Sequence, residues 1–201
     1  ESYRKWFDGF AHKNKYPNPE IISFVMRSYG NNPAKHEINI LDIGCGWGNN
    51  LQFLHDQGFN YYGIDSSKKA VSHCKETFKN VIMGDFSLLP YPDAYFDCVV
   101  DRQSVQHNSK SKIKKIVNQV YQKLKPGGMF YSMLAASGHY EFFTTKLSKL
   151  EILELLSIFN KVFIDYLEKS YNAAHLIQSK DRIHRVGLSK EDKINYYYVL
   201  S

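Results

Sequence analysis

An apolar, β-branched run, Ile38-Asn39-Ile40-Leu41-Asp42-Ile43, breaks into three glycines at alternate positions: Gly44, Gly46 and Gly48. The chain then resumes as Asn49-Asn50-Leu51-Gln52-Phe53-Leu54. The first part reads as a buried parallel strand and the last as the opening of an amphipathic helix. Strand, glycine turn and helix N-terminus in that order make a cradle for a ligand. Glycine lets the ligand approach bare backbone, and the turn's amides and the helix dipole lie beside it.

The spacing bears on which ligand. The dinucleotide fingerprint G-x-G-x-x-G seats a pyrophosphate on the helix N-terminus. Here the third glycine comes one residue early, and Asp42 stands two residues ahead of the first. A carboxylate there repels a pyrophosphate and suits a cation, which argues against a nicotinamide oxidoreductase.

Further along, Asn60-Tyr61-Tyr62-Gly63-Ile64-Asp65 reads as a second strand closing on an acid. That acid lies about 20 residues past the first glycine, where a βαβ unit places a ribose-binding carboxylate. A helix from Ser66 or Ser67 follows. Val81-Ile82-Met83 is a third strand, ending in Gly84-Asp85-Phe86, and Cys98-Val99-Val100-Asp101 completes a fourth. Arg102-Gln103-Ser104-Val105-Gln106-His107 then falls at the carboxyl end of the sheet, where open α/β folds bind ligands. Lys110 to Leu124 has the spacing of an amphipathic helix, stopped by Lys125-Pro126-Gly127-Gly128 before strand Met129–Leu134. A helix over Leu147–Phe159 and strands at Val162–Leu167 and Ile194–Leu200 complete the pattern. Near the start, Asn18-Pro19 opens a helix to Tyr29 with Ile22, Val25, Met26 and Tyr29 as its inner stripe.

Four landmarks in order (the glycine loop, Asp65, Asp85-Phe86 and Lys125-Pro126-Gly127-Gly128) resemble the class I S-adenosylmethionine (SAM) methyltransferases of the small-molecule "methyltransferase domain" kind. The resemblance covers about residues 38–135. It implies a Rossmann-like α/β sandwich with a seven-stranded, mostly parallel sheet in the order 3-2-1-4-5-7-6, closing in a C-terminal antiparallel hairpin. Length and pattern read as one domain over residues 1–201, with a helical cap over 1–35 and, from the length of the connection, an insertion at 170–193 before the last strand. The implied cofactor is SAM, leaving as S-adenosylhomocysteine, with Asp42, Gly44, Cys45, Gly46, Gly48, Asn49, Asp65, Ser66, Asp85, Phe86 and Arg102 around it. In the family the acid at the position of Asp85 accepts the adenine amino proton and its neighbour lines the ring. No metal is implied.

Composition narrows the class. A chain of 201 residues, 43% hydrophobic, suits one domain with a full core. No apolar run approaches the ~20 residues that cross a bilayer. The opening residues Glu-Ser-Tyr-Arg-Lys-Trp lack a signal peptide's apolar region. Cys45, Cys74 and Cys98 have no paired spacing and read as free core thiols, which fits a cytoplasmic protein. The net charge of +6 permits an anionic partner, but the lysines are scattered as solvated helix faces.

Methyl transfer needs alignment of acceptor, methyl and sulfur, and a base when the acceptor is a hydroxyl. His107, just past the fourth strand, is the first candidate base. His139 and Tyr140, in the loop after the fifth strand, are the second. His175 and His184 read as solvent-facing, and Asp101 as a structural acid at a strand end. No Asn/Asp-Pro-Pro-Tyr/Phe follows the fourth strand, no Pro-Cys pair exists, and no RNA-binding module is visible. A small-molecule acceptor, of the sugar or sugar-nucleotide type, is the reading that remains. The alternatives are an RNA methyltransferase and a SAM-binding protein without turnover. Nucleic acid is not the expected partner, and the oligomeric state is left open.

Overall fold

The computed structural model describes residues 16–135, 147–159, 161–167 and 194–200. The strands are β1 (Asn39–Ile43), β2 (Asn60–Asp65), β3 (Val81–Met83), β4 (Phe96–Arg102), β5 (Leu124–Ala135), β6 (Lys161–Leu167) and β7 (Ile194–Leu200). The helices are α1 (Pro19–Tyr29), α2 (Asn49–Asp56), α3 (Lys68–Lys75), α4 (Lys110–Lys123) and α5 (Lys149–Leu156). β1 lies between β2 and β4, β3 pairs outside β2, and β5 pairs outside β4, all in parallel. Helices cover both faces. Leu41, Ile43, Val99 and Phe130 pack with Ile113, Ile116 and Val120 of α4 and Ile152 and Leu156 of α5. On the other face Ile40, Cys98, Val100 and Tyr131 pack with Ile21, Phe24 and Val25 of α1 and Phe53 and Leu54 of α2. This is the arrangement that all-parallel sheets require, since neither face can meet water.

Beyond β5 the order continues β5-β7-β6. β7 runs parallel to both neighbours, with Met129 opposite Ile194 and Lys161 opposite Ile194. The antiparallel hairpin expected from the sequence is therefore corrected. A parallel return needs a crossover of about a dozen residues or more, and residues 168–193 exceed that. An apolar run identifies a strand but not its direction.

Two boundaries and the buried face of one helix shift for local reasons. β5 begins at Leu124, ahead of Lys125-Pro126-Gly127-Gly128, because Leu124 already pairs with Phe96. A register shift between Phe96 and Cys98 absorbs the proline and glycines as a bulge. α5 is shorter than expected: Ser148 caps it by accepting from the Glu151 amide while Glu151 accepts from the Ser148 amide. In α1, Ile21, Phe24 and Val25 are the deepest residues, whereas Ile22, Met26 and Tyr29 are partly buried. Asn18 caps α1 through Glu20 and Ile21, and Phe24 meets the Tyr131 ring at 4.9 Å, which turns the helix toward that side.

Candidate cofactor site

The glycine turn is pinned from below. The amides of Gly44 and Cys45 both donate to the Ile64 carbonyl, at 2.8 and 3.2 Å, so the loop is tied to the end of β2. All three glycines have positive φ: 69°, 52° and 83° for Gly44, Gly46 and Gly48. At Gly44 the reason is also steric, because a Cβ would run into the Ser104 side chain, whose hydroxyl donates to the Gly44 carbonyl. Gly48 caps α2.

Asp65 closes β2 beside this turn. One carboxylate oxygen accepts from the Gly46 amide at 2.9 Å and the other from the Ser67 amide at 2.8 Å. The two amides fix the carboxylate's orientation beside the turn. Ser66 is exposed, and it is Ser67 that caps α3. Asp65→Ala should weaken S-adenosylhomocysteine binding by roughly 1.5–3 kcal/mol, the range for a hydrogen bond to a charged group. Calorimetric titration of the folded variant measures it.

Asp42 is 1% exposed at the end of β1. Its Oδ2 accepts from Asn50 Nδ2 at 3.3 Å, whereas its Oδ1 accepts no hydrogen bond from the described residues. Burial pushes its carboxyl up to about 8, and the charges of Asp101 and Asp65 push the same way. Asn50 and the Arg102 charge pull it down. A buried carboxylate oxygen without a donor, next to a glycine turn, fits a cationic group such as the ammonium or sulfonium of SAM. Asn50 was not singled out from the sequence. It also accepts the Asn18 amide at 3.1 Å and so links Asp42 to the start of α1. Its neighbour Asn49 is half-buried at the first position of α2. Two asparagines in a row offered no means of telling which one faces inward.

The remaining candidates divide. Phe86 is buried in the core cluster of α4 and α5, and its ring would stand 3.5 Å from a Cβ at Gly44. Cys45 turns its side chain away, into a cluster with Leu51, Val71, Cys74, Phe78 and Val81. A hydrogen bond with Cys74, then burial, holds its thiol well above the usual range. Its side chain is packing, and only its backbone belongs to the turn. Asp85 is exposed, with Lys112 Nζ at 2.8 Å and the Ser87 amide and hydroxyl at 2.9 and 2.8 Å. Partial burial raises its carboxyl, but these partners outweigh it and hold the group at about 2. An adenine amino group would share that carboxylate with Lys112.

Arg102 is exposed at the end of β4, and its charge is felt at Asp42. Asp101 is fully buried. Its Oδ1 accepts from the Ser104 and Val105 amides at 2.7 and 3.2 Å, and its Oδ2 from the Ser132 hydroxyl at 2.6 Å. Burial lifts it to about 6 against those three donors. Asp101 thus anchors the 3-10 turn Val105–His107, which carries a half-buried His107 at the carboxyl end of the sheet. His139 and Tyr140 lie outside the described residues, as do His175 and His184. Among the described residues no cluster of His, Cys, Asp or Glu could hold a metal, and no helix is long and apolar enough to cross a membrane.

A parallel sheet ordered 3-2-1-4-5, with a buried acid near the end of β1 ahead of a glycine turn and a second acid closing β2, defines a Rossmann-like fold, an architecture whose ligands sit at the strand carboxyl ends. Residues 40–128 match the family described as "Methyltransferase domain". The fold also matches the PH0226 protein of Pyrococcus horikoshii, at a TM-score of 0.57 and 19% identity over 77% of this chain and 89% of that one. That match and that sheet make residues 40–128 similar to the methyltransferase domain of class I SAM-dependent enzymes. A probable SAM-dependent methyltransferase of Mycolicibacterium smegmatis is 30% identical over 46% of this chain and 36% of its own length. The 24-methylenesterol C-methyltransferase 2 of rice is 28% identical over 57% of this chain and 31% of its own length. The chain thus spans about a third of the length of these curated relatives.

Proposed function

We propose that the protein transfers a methyl group from SAM to a small-molecule acceptor. The observation that carries this reading is the buried, half-satisfied Asp42 behind a turn of three left-handed glycines. SAM supplies the reactive methyl–sulfonium bond. The chain's own residues do the rest. Asp42 attracts the cationic end of the cofactor and Asp65 receives the ribose hydroxyls. Phe86 backs the loop, and the Asp101-anchored turn sets His107 where it can take a proton from a hydroxyl acceptor. Holding both partners in line is worth roughly 7–11 kcal/mol of barrier.

For the acceptor, a sugar or sugar nucleotide remains the reading from the compact core, and the sterol-named relative adds an apolar alternative. RNA fits less well. Lys110, Lys112, Lys123 and Lys125 each pair with an acid (Glu151, Asp85, Asp93 and Asp97), which breaks up the basic surface around α4. Incubation with SAM and a panel of sugar nucleotides, sterols, fatty acids and RNA, read as S-adenosylhomocysteine release, should give turnover with a small molecule. Turnover with RNA alone would overturn the acceptor reading. Binding of SAM with no turnover on any acceptor would favour a SAM-binding protein.

A further inference from the structure

We propose that Asp42 gives up a proton in exchange for the cationic end of the cofactor, so that cofactor binding near neutral pH releases one proton to solvent. The inference rests on the cofactor reading above.

Asp42 is set between Gly63 of β2 and Val100 of β4 in the sheet register. The charged and titratable groups that bear on it are Asp65 from β2, Asp101 and Arg102 from β4, and the Cys45 thiol from the glycine turn. Asn50 of α2 adds a neutral donor. Three of these carboxyl groups, Asp42, Asp65 and Asp101, are buried, and the one cation among them, Arg102, is exposed. The acids are satisfied unequally. Asp65 accepts two backbone amides and Asp101 three donors, whereas Asp42 has one side-chain amide and a bare Oδ1.

Ionised Asp42 would therefore be a third negative charge in a water-poor corner, with half of its carboxylate unsolvated. A proton is the simplest remedy, and burial places this carboxyl at about 8 in the cofactor-free protein. Asp101, at about 6, is mostly ionised at pH 7 and leaves the exchange to Asp42. A cation within about 4–6 Å favours the carboxylate and reverses the preference. The step balances as carboxylic acid plus ligand ammonium giving the carboxylate–ammonium pair and one proton in solvent, with no bond of the ligand broken. Because the free protein carries a proton that the complex lacks, affinity rises with pH below the free carboxyl's midpoint, by up to tenfold per unit, and levels off above it.

S-adenosylhomocysteine titrated into the wild-type protein by calorimetry, at pH 7 in two buffers of different ionisation enthalpy, should show release of close to one proton. Its dissociation constant should tighten several-fold from pH 6.5 to 7.5. In Asp42→Asn both effects should vanish while weaker binding persists. Wild-type binding with no buffer-dependent heat, or equal release from the variant, overturns the exchange and leaves the cofactor reading standing. Absence of any binding to wild type overturns both. Should Asp42→Asn not fold, carbon-13 titration of the wild-type side-chain carboxyls decides: Asp42 titrating above pH 7 supports the exchange, and below pH 7 overturns it.

Discussion

Gly46→Val should lose S-adenosylhomocysteine affinity by more than about 100-fold, equivalent to roughly 2.8 kcal/mol, while the protein still folds. Gly46 sits at φ 52°, where a β-branched residue is a genuine outlier and an L side chain costs about 1–2 kcal/mol. Turning φ negative would relieve the strain but would swing the Gly46 amide off Asp65. It would also pull the Gly46 carbonyl from the Cys74 thiol, which now donates to it at 3.2 Å. Either way the turn loses its hold on the Asp65 carboxylate. The core formed by β1, β4, β5 and their helices does not depend on this residue. Gly58→Val is the matched control: φ there is 80°, and a Cβ would meet nothing within 4 Å. It should carry similar backbone strain and bind normally. A folded Gly46→Val protein with wild-type affinity would mean that the turn holds no ligand.

His107→Ala should lower kcat by roughly 10²–10⁴ on a hydroxyl acceptor with cofactor affinity nearly unchanged. The Asp101 carboxylate fixes the turn that carries His107, and none of the cofactor contacts proposed above passes through the imidazole. On an amine acceptor, whose proton can leave to water, alignment suffices and the loss should stay under about tenfold. A small loss together with a proven O-methyl product would remove His107 as the base.

What could be read from the chain was what is local. Strand, turn and helix around Gly44–Gly48 follow from neighbouring residues, and Asp65 follows from the length of one βαβ unit. Ser67, one of the two residues read as opening α3, does cap it. What escaped depends on contacts across the fold. Asn50 matters because it meets Asp42 on one side and Asn18 on the other. Asp85 is engaged by Lys112 of α4, a partner that no local pattern pairs with it. Cys45 sits inside the glycine motif yet packs on Cys74 of α3, a partner that lies far along the chain. The direction of β7 was misjudged since the run Ile194–Leu200 marks a strand without saying which way it runs beside its neighbours.

The measurement closest to the central claim is calorimetric titration of the wild-type protein with S-adenosylhomocysteine and, separately, with NAD. Saturable one-to-one binding of S-adenosylhomocysteine, with no heat from NAD, is the result expected from Asp42 and the early third glycine. At ~100 times its dissociation constant the ligand should also stabilise the fold by about 2.7 kcal/mol. Binding of NAD with no response to S-adenosylhomocysteine would contradict the assignment.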